Sequence, residues 1–536
     1  MESIKRYDFL YRARPLDIFK KRIDFDILGQ KDMNRLSVLP LFSQAEKHGR
    51  RRAIIASDGV FTYPQLLSAS KRVASGLLTA EGDLHETRVA YLIPPGFQHV
   101  AVQWGIWRAG GIAVPLSLFH PGAELEYTIK DADAAILVAH PELATRLQPI
   151  AESLRRRYVL MDELLHSQAR ALPEISPERR ALILYTSGTT GKPKGVVIAH
   201  KSIVAQVTSL VEAWGWSSQD HILNVLPLNH IHGIINILTC ALWSGAICEF
   251  RPRFEAEDVW SRILKGRITL FMAVPTIYVK LISSWKAASP EFQKKISAAC
   301  SKMRLFVSGS AALPVNVLEE WRAITGQTIL ERYGMTETGM VLSNPLRGER
   351  LPGSVGAPLP GVKVRLANER GESVKDGVPG EIRVKSPLVF LEYWKKPEAA
   401  KAAFQRGWFC TGDIAVRENG RYRILGRSSS DIIKTGGYKV SALEIEGVLV
   451  THPEVEECAV VGVEDPVWGE RVGAALVIRP GSHLTLGSIM RWAKDRLASY
   501  KIPSQIRIVT ALPRNELGKA SKQRVGELFK DGSRFR

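Results

Sequence analysis

Short apolar runs bounded by Gly or Pro alternate with segments of helical period through the first 350 residues. Residues 89–93 predict a strand, 97–108 a helix and 112–116 the next strand, and further strands are predicted at 183–185, 270–274 and 305–307. Strand, helix, strand at this spacing means parallel α/β layers. Beyond about residue 350 the pattern turns into Gly- and Pro-punctuated alternation, with strands predicted at 363–366, 380–384 and 421–425, which reads as an antiparallel β unit. From Ser428 the α/β pattern returns, with a helix from Ala442, strands near 459–463 and 473–478, and a helix near 488–498. The predicted fold is α/β: a large N-terminal domain over 1–427, built of two α/β layers plus a β unit, and a small mobile α+β domain over 428–536.

The stretch 222–248 contains no Asp, Glu, Lys or Arg and is long enough to span a bilayer. Pro227, Asn229, His230, His232, Gly233 and Asn236 interrupt it. The better reading is a buried strand over 223–226, a polar loop, a helix over 233–243 and a strand from Ala246, with no membrane span.

Composition adds an anionic partner to this picture. The chain has 536 residues with 73 Lys+Arg against 54 Asp+Glu, a formal charge of +19. The surplus is dispersed: residues 428–536 hold 16 basic and 13 acidic side chains, and only 501–536, with nine against three, concentrate it. Runs such as Arg50, Arg51, Arg52 and Arg155, Arg156, Arg157 read as solvated faces, and no nucleic-acid-binding motif accompanies them. Five widely spaced cysteines without a CxxC pair indicate neither a disulfide framework nor a zinc site. The first 36 residues include six acidic side chains and lack a signal-peptide core, so a cytoplasmic protein is expected, with no obligatory protein partner.

The densest chemical signal is Tyr185-Thr186-Ser187-Gly188-Thr189-Thr190-Gly191-Lys192-Pro193-Lys194-Gly195, which follows a buried strand. Its glycines let backbone N–H groups approach an anion, and its hydroxyls and two lysines suit a polyphosphate. A P-loop is disfavoured, because Thr186 stands where the first glycine of that motif would be.

With Tyr333-Gly334-Met335-Thr336-Glu337-Thr338, the W-F-x-T-G-D element ending at Asp413, Gly426-Arg427 and Pro513-Arg514-Asn515-Glu516-Leu517-Gly518-Lys519 following in order, the chain resembles the acyl-adenylate-forming superfamily. That superfamily comprises acyl-CoA synthetases, adenylation domains and beetle luciferases, and the resemblance covers nearly the whole chain. It implies that Thr186 through Lys192, with Lys194, cradle the ATP phosphates, and that Gly309, Ser310, Ala311, Tyr333, Gly334 and Met335 line the nucleotide pocket. It further implies that Asp413 and Arg427 contact the ribose, that Glu337 and Thr186 hold Mg²⁺, and that Lys519, Glu337, Thr336 and His230 serve catalysis. Lysine is apt for the first step, since charge develops on the α-phosphate and the departing pyrophosphate.

The implied reaction is ATP-dependent and AMP-forming: a carboxylate and MgATP give an acyl-adenylate, and the thiol of CoA then displaces AMP. Between the halves the small domain rotates. One of Ser429, Ser430 or Asp431 is the pivot, and Gly436, Gly437, Tyr438 and Lys439 stand on the CoA side.

For the acid, segments 272–278, 303–314, 331–345 and 431–446 look like malonyl-CoA synthetases. The acyl pocket is assigned to His230, His232, Ser308, Val274 and Met340, and Arg304 is expected to grip the distal carboxylate of malonate. A medium-chain or other small-carboxylate synthetase, and an acyl-AMP ligase loading a carrier protein, are the alternatives.

Overall fold

The computed structural model describes residues 39–78, 82–186, 193–435, 438–514 and 519–530. Two sheets dominate the large domain. The seven-stranded sheet runs Glu392–Tyr393, Lys194–Ala199, Arg180–Thr186, Ile112–Pro115, Arg88–Leu92, Ile136–Ala139 and Arg157–Leu160. Its middle strands are parallel and buried on both faces, as their unbroken apolar runs require. The helix between the first predicted strand pair spans Phe97–Arg108 and buries nearly its whole circumference.

The nine-stranded sheet places, side by side, Leu330–Met335, Leu305–Ser308, Leu270–Ala273, His221–Asn224, Ile247–Phe250 and Arg52–Ala56. All five pairings among these six are parallel. Their carboxyl ends therefore share one edge, where parallel sheets bind ligands. One large apolar core joins the two sheets.

The predicted antiparallel unit is a five-stranded sheet containing Lys363–Ala367, Gly380–Lys385, Trp408–Glu418 and Arg421–Arg427. The C-terminal sheet combines Ile432–Thr435, Tyr438–Ser441, Val455–Asp465, Gly469–Ile478 and Gln505–Ile508, with its own apolar core under the helices Ala442–Leu449 and Leu486–Lys494.

The uncharged stretch departs from expectation in two ways. Its first strand is His221–Asn224, two residues earlier than predicted, because the Asn224 side chain accepts from the Leu226 N–H at 3.0 Å and turns the chain. The following helix opens as a π-helix, His232–Thr239, before one α turn at Cys240–Ser244. Gly233 is required there, since a Cβ would stand 2.3 Å from the Pro227 carbonyl oxygen. Wide turns of this kind gather at functional sites. Among the described residues no helix is long and apolar enough to cross a membrane.

Candidate active site

Three predicted nucleotide residues, each on its own strand, meet at one point. Tyr333 lies in Leu330–Met335, and its hydroxyl donates to Asp413 Oδ2 at 2.6 Å. Arg427, the ladder partner of Asp413, donates from Nε to Oδ1 at 2.9 Å. Asp413 is buried, and a carboxylate held at both oxygens keeps a fixed acceptor edge, as the expected ribose contact requires.

Glu337 is buried, and the Tyr393 hydroxyl donates to its Oε1 at 2.9 Å. Burial raises its pKa above the ordinary carboxylate value, with Tyr393 opposing. Lys194 sits over the Tyr393 ring at 5.3 Å and pairs in the ladder with Thr186. Thus Thr186 and Lys194, which flank the expected phosphate loop, connect through Tyr393 to Glu337. Ser187, Gly188, Thr189, Thr190, Gly191 and Lys192 lie outside the described residues, as do Gly436 and Gly437.

Among the described residues no group of three His, Cys, Asp or Glu side chains stands together to hold a metal. Glu337 nevertheless fits Mg²⁺, which takes one or two carboxylates plus phosphate oxygens.

The loop after Leu305–Ser308 is where the acyl side is expected. Ser308 is fully buried, Ser310 adopts φ +70°, and its hydroxyl meets His232 Nδ1 at 3.3 Å. Gly309 packs on the Arg332 guanidinium so closely that any Cβ would collide with it. Arg332 is buried, and its Nε and Nη2 have no hydrogen-bond partner among the described residues. The same holds for Ser308 Oγ and His232 Nε2. Burial pulls the Arg332 pKa down to about 9. Burial and the charge of Arg332 hold His232 neutral, well below its usual value.

Arg304 requires a correction. Its Nε and Nη2 donate to Asp220 Oδ1 and Oδ2 at 2.9 and 3.0 Å, and Nη1 donates to the Trp214 carbonyl at 2.7 Å. It stands at the amino end of its strand, away from the loop that Ser308 opens. Its fork is committed to a buried aspartate, so it is a structural residue. A buried guanidinium without a hydrogen-bond partner among the described residues is that of Arg332, which was not among the expected site residues although it adjoins Tyr333.

The other residues expected at the acyl and nucleotide pockets have the following places. Val274 caps the helix Pro275–Ala287, and Met340 is buried with its N–H donating to Gln206 Oε1. Thr336 is half-buried beside Ile231 and Gly339. His230 lies in the turn before the π-helix, and its carbonyl accepts from Ile234 at 3.1 Å. Gly334 and Met335 form the bulged end of their strand, where a Cβ on Gly334 would strike the Gly339 carbonyl at 2.1 Å. Ala311 is half-buried.

On the C-terminal side, Lys519 is exposed next to the Arg514–Ala520 bridge. Tyr438 is exposed and stacks on Tyr500 at 4.4 Å; the side chain of Lys439 lies outside the described residues. At the joint, Asp431 accepts from the Arg427 N–H at 2.9 Å and faces Lys522, which also pairs with Glu446. Ser429 and Ser430 are exposed.

A model of the AMP-binding enzyme family matches residues 41–394, and one of the AMP-binding enzyme C-terminal domain matches 444–519. The malonate–CoA ligase ACSF3, mitochondrial, of Mus musculus is 45% identical over 92% of both chains. A malonate–CoA ligase of Arabidopsis thaliana is 40% identical, over 90% of this chain and 87% of its own. The crystal structure of ATP-bound MatB from Rhodopseudomonas palustris superposes with a TM-score of 0.85 at 34% identity, covering 92% of this chain and 99% of that one. The chain belongs to the AMP-binding enzyme family and is an acid–CoA ligase of its AMP-forming kind.

Proposed function

We propose that the acid is malonate, and that Arg332, Ser308 and His232 hold its non-reacting carboxylate. The observation that carries this reading is the buried guanidinium of Arg332, left with two unpartnered nitrogens beside an unpartnered hydroxyl and imidazole nitrogen. Burying an uncompensated charge is costly. A bidentate carboxylate removes that cost and accepts the orphan donors. A monocarboxylate of similar length leaves the arginine stranded, which penalises it by orders of magnitude. The names of the similar ligases point to the same acid.

The reacting carboxylate of malonate attacks the α-phosphate of ATP, the bond to the β-phosphate bridging oxygen breaks, and pyrophosphate leaves. CoA thiol then attacks the acyl carbon, the carbon–phosphate-oxygen bond breaks, and AMP departs as the thiol loses its proton. Tyr333 packs at the adenine, Asp413 and Arg427 fix the ribose, and Lys194 with the loop from Thr186 bind phosphates. Glu337 and Thr186 would hold Mg²⁺, which supplies countercharge to the triphosphate. Lys519 supplies the cation for the first half, and rotation of residues 428–536 about Asp431 exchanges it for the CoA side, with Gly436, Gly437, Tyr438 and Lys439. Asp431 is our choice of pivot because it bonds the large-domain side through Arg427 and faces Lys522 on the small-domain side.

Malonate, methylmalonate, succinate, acetate and octanoate, each with ATP, Mg²⁺ and CoA, distinguish the readings when thioesters are read by mass spectrometry. Malonyl-CoA as the dominant product supports malonate; octanoyl-CoA as the dominant product removes it. For compartment, the free cysteines fit a reducing space and we retain the cytoplasm; co-fractionation with mitochondria, as the name of the mouse relative would imply, replaces that reading.

A further inference from the structure

A second charged cavity lies at the opposite edge of the nine-stranded sheet. It has a volume of about 380 Å³ and is lined by Arg51, Arg52 and Arg267 together with Ser218, Asp220 and His221. Arg52, His221 and Ile247 each begin their strands, and Arg267 precedes a fourth. The cavity is therefore at the amino ends of parallel strands whose carboxyl ends face the catalytic loops. A four-residue strand separates the two edges by roughly 10 Å, at about 3.3 Å per residue.

The acids near this cavity are already neutralised. Asp220 is bonded at both oxygens by Arg304, and also accepts from Thr269 Oγ1 at 3.0 Å and the Ser217 N–H at 2.8 Å. Glu249, behind His221, takes that ring at 3.0 Å and Arg262 at 3.1 Å. The arginines have no such partner. Arg51 is fixed by the Gly245 carbonyl at 3.2 Å and by the Ser218 carbonyl, two neutral acceptors that leave its charge uncompensated and donors to spare. Arg52 and Arg267 make no side-chain hydrogen bond or ion pair with any described residue. Three like charges around one concavity, one of them held in place, attract an anion.

We propose that this cavity binds a compact phosphorylated anion, with its phosphate oxygens shared among Arg51, Arg52 and Arg267. The lining has no Phe, Tyr or Trp face for a base, and its apolar members are Ile55 and Ile247. That favours phosphate groups over a nucleoside. Inorganic pyrophosphate, released by the AMP-forming reaction, and the phosphates of CoA are the two sources present in every turnover. The choice of these sources rests on the proposed reaction, whereas the cavity and its charge do not.

The test uses the full chain with its catalytic site saturated by α,β-methylene-ATP, titrated calorimetrically with inorganic pyrophosphate. One further equivalent is expected for the wild type, and at least tenfold weaker binding for Arg52→Ala/Arg267→Ala, as loss of charge-assisted bonds implies. Binding of α,β-methylene-ATP should be unchanged in the variant. Displacement by CoA would assign the site to CoA phosphates; no displacement would assign it to free pyrophosphate. Absence of the extra equivalent, equal affinity in the variant, or equal binding of sulfate overturns the proposal. Failure of α,β-methylene-ATP to bind would instead count against the proposed catalytic function.

Discussion

A methyl group on Gly309 would stand 2.5 Å from Cζ of Arg332, so the glycine exists to let the guanidinium lie against the loop backbone. Gly309→Ala must push the arginine or the loop aside, at a cost of about 1–3 kcal/mol. The expected outcome is a KM for malonate raised about tenfold or more, measured by steady-state thioester formation. An unchanged KM would show that the contact does not position the arginine.

Arg304→Ala should act on stability instead. It leaves the buried Asp220 without its guanidinium, and removing one partner of such a pair costs about 3 kcal/mol. Urea unfolding should show the loss, while the malonate KM of the folded protein stays within about twofold.

This contrast marks how much was legible in the sequence. Tyr333, Asp413 and Arg427 were readable because fixed spacings in the motifs bring them together. The strand ladder was readable from apolar periodicity. The choice between Arg304 and Arg332 was not, since one precedes and the other lies within a strand of the same sheet, and only the three-dimensional partners separate them. Asp220, 84 residues before Arg304, gave no local sign of its claim on that side chain. The π-helix was likewise hidden, because its apolar run fits an α-helix equally well.

Glu331 introduces a pH dependence. It is buried, its Oε1 accepts the Leu313 N–H at 2.9 Å, and burial pushes its pKa up to about 7. Between about pH 4.5 and 7 the unfolded chain releases this proton while the folded one keeps it, so stability from this group falls as pH rises and levels off above 7. The total is up to about 3 kcal/mol. Glu331→Gln should flatten that slope in unfolding measured from pH 4.5 to 8; an unaltered slope would contradict the assignment.

Lys519→Ala should separate the two half-reactions. ATP–pyrophosphate exchange driven by malonate is expected to fall by about 10²–10³, the loss typical of one transition-state charge contact. Thioester formation from supplied malonyl-adenylate and CoA should persist within a few-fold. Equal loss in both assays would place the lysine outside the first step.

The most direct measurement is kcat/KM for malonate and for butyrate with wild type and Arg332→Ala, read as CoA thioester. A site built around the unpartnered guanidinium predicts a strong wild-type preference for malonate and a loss of about 10²-fold or more in malonate kcat/KM in the variant. It also predicts little loss with butyrate and unchanged ATP binding. A variant that retains the wild-type preference for malonate would contradict it.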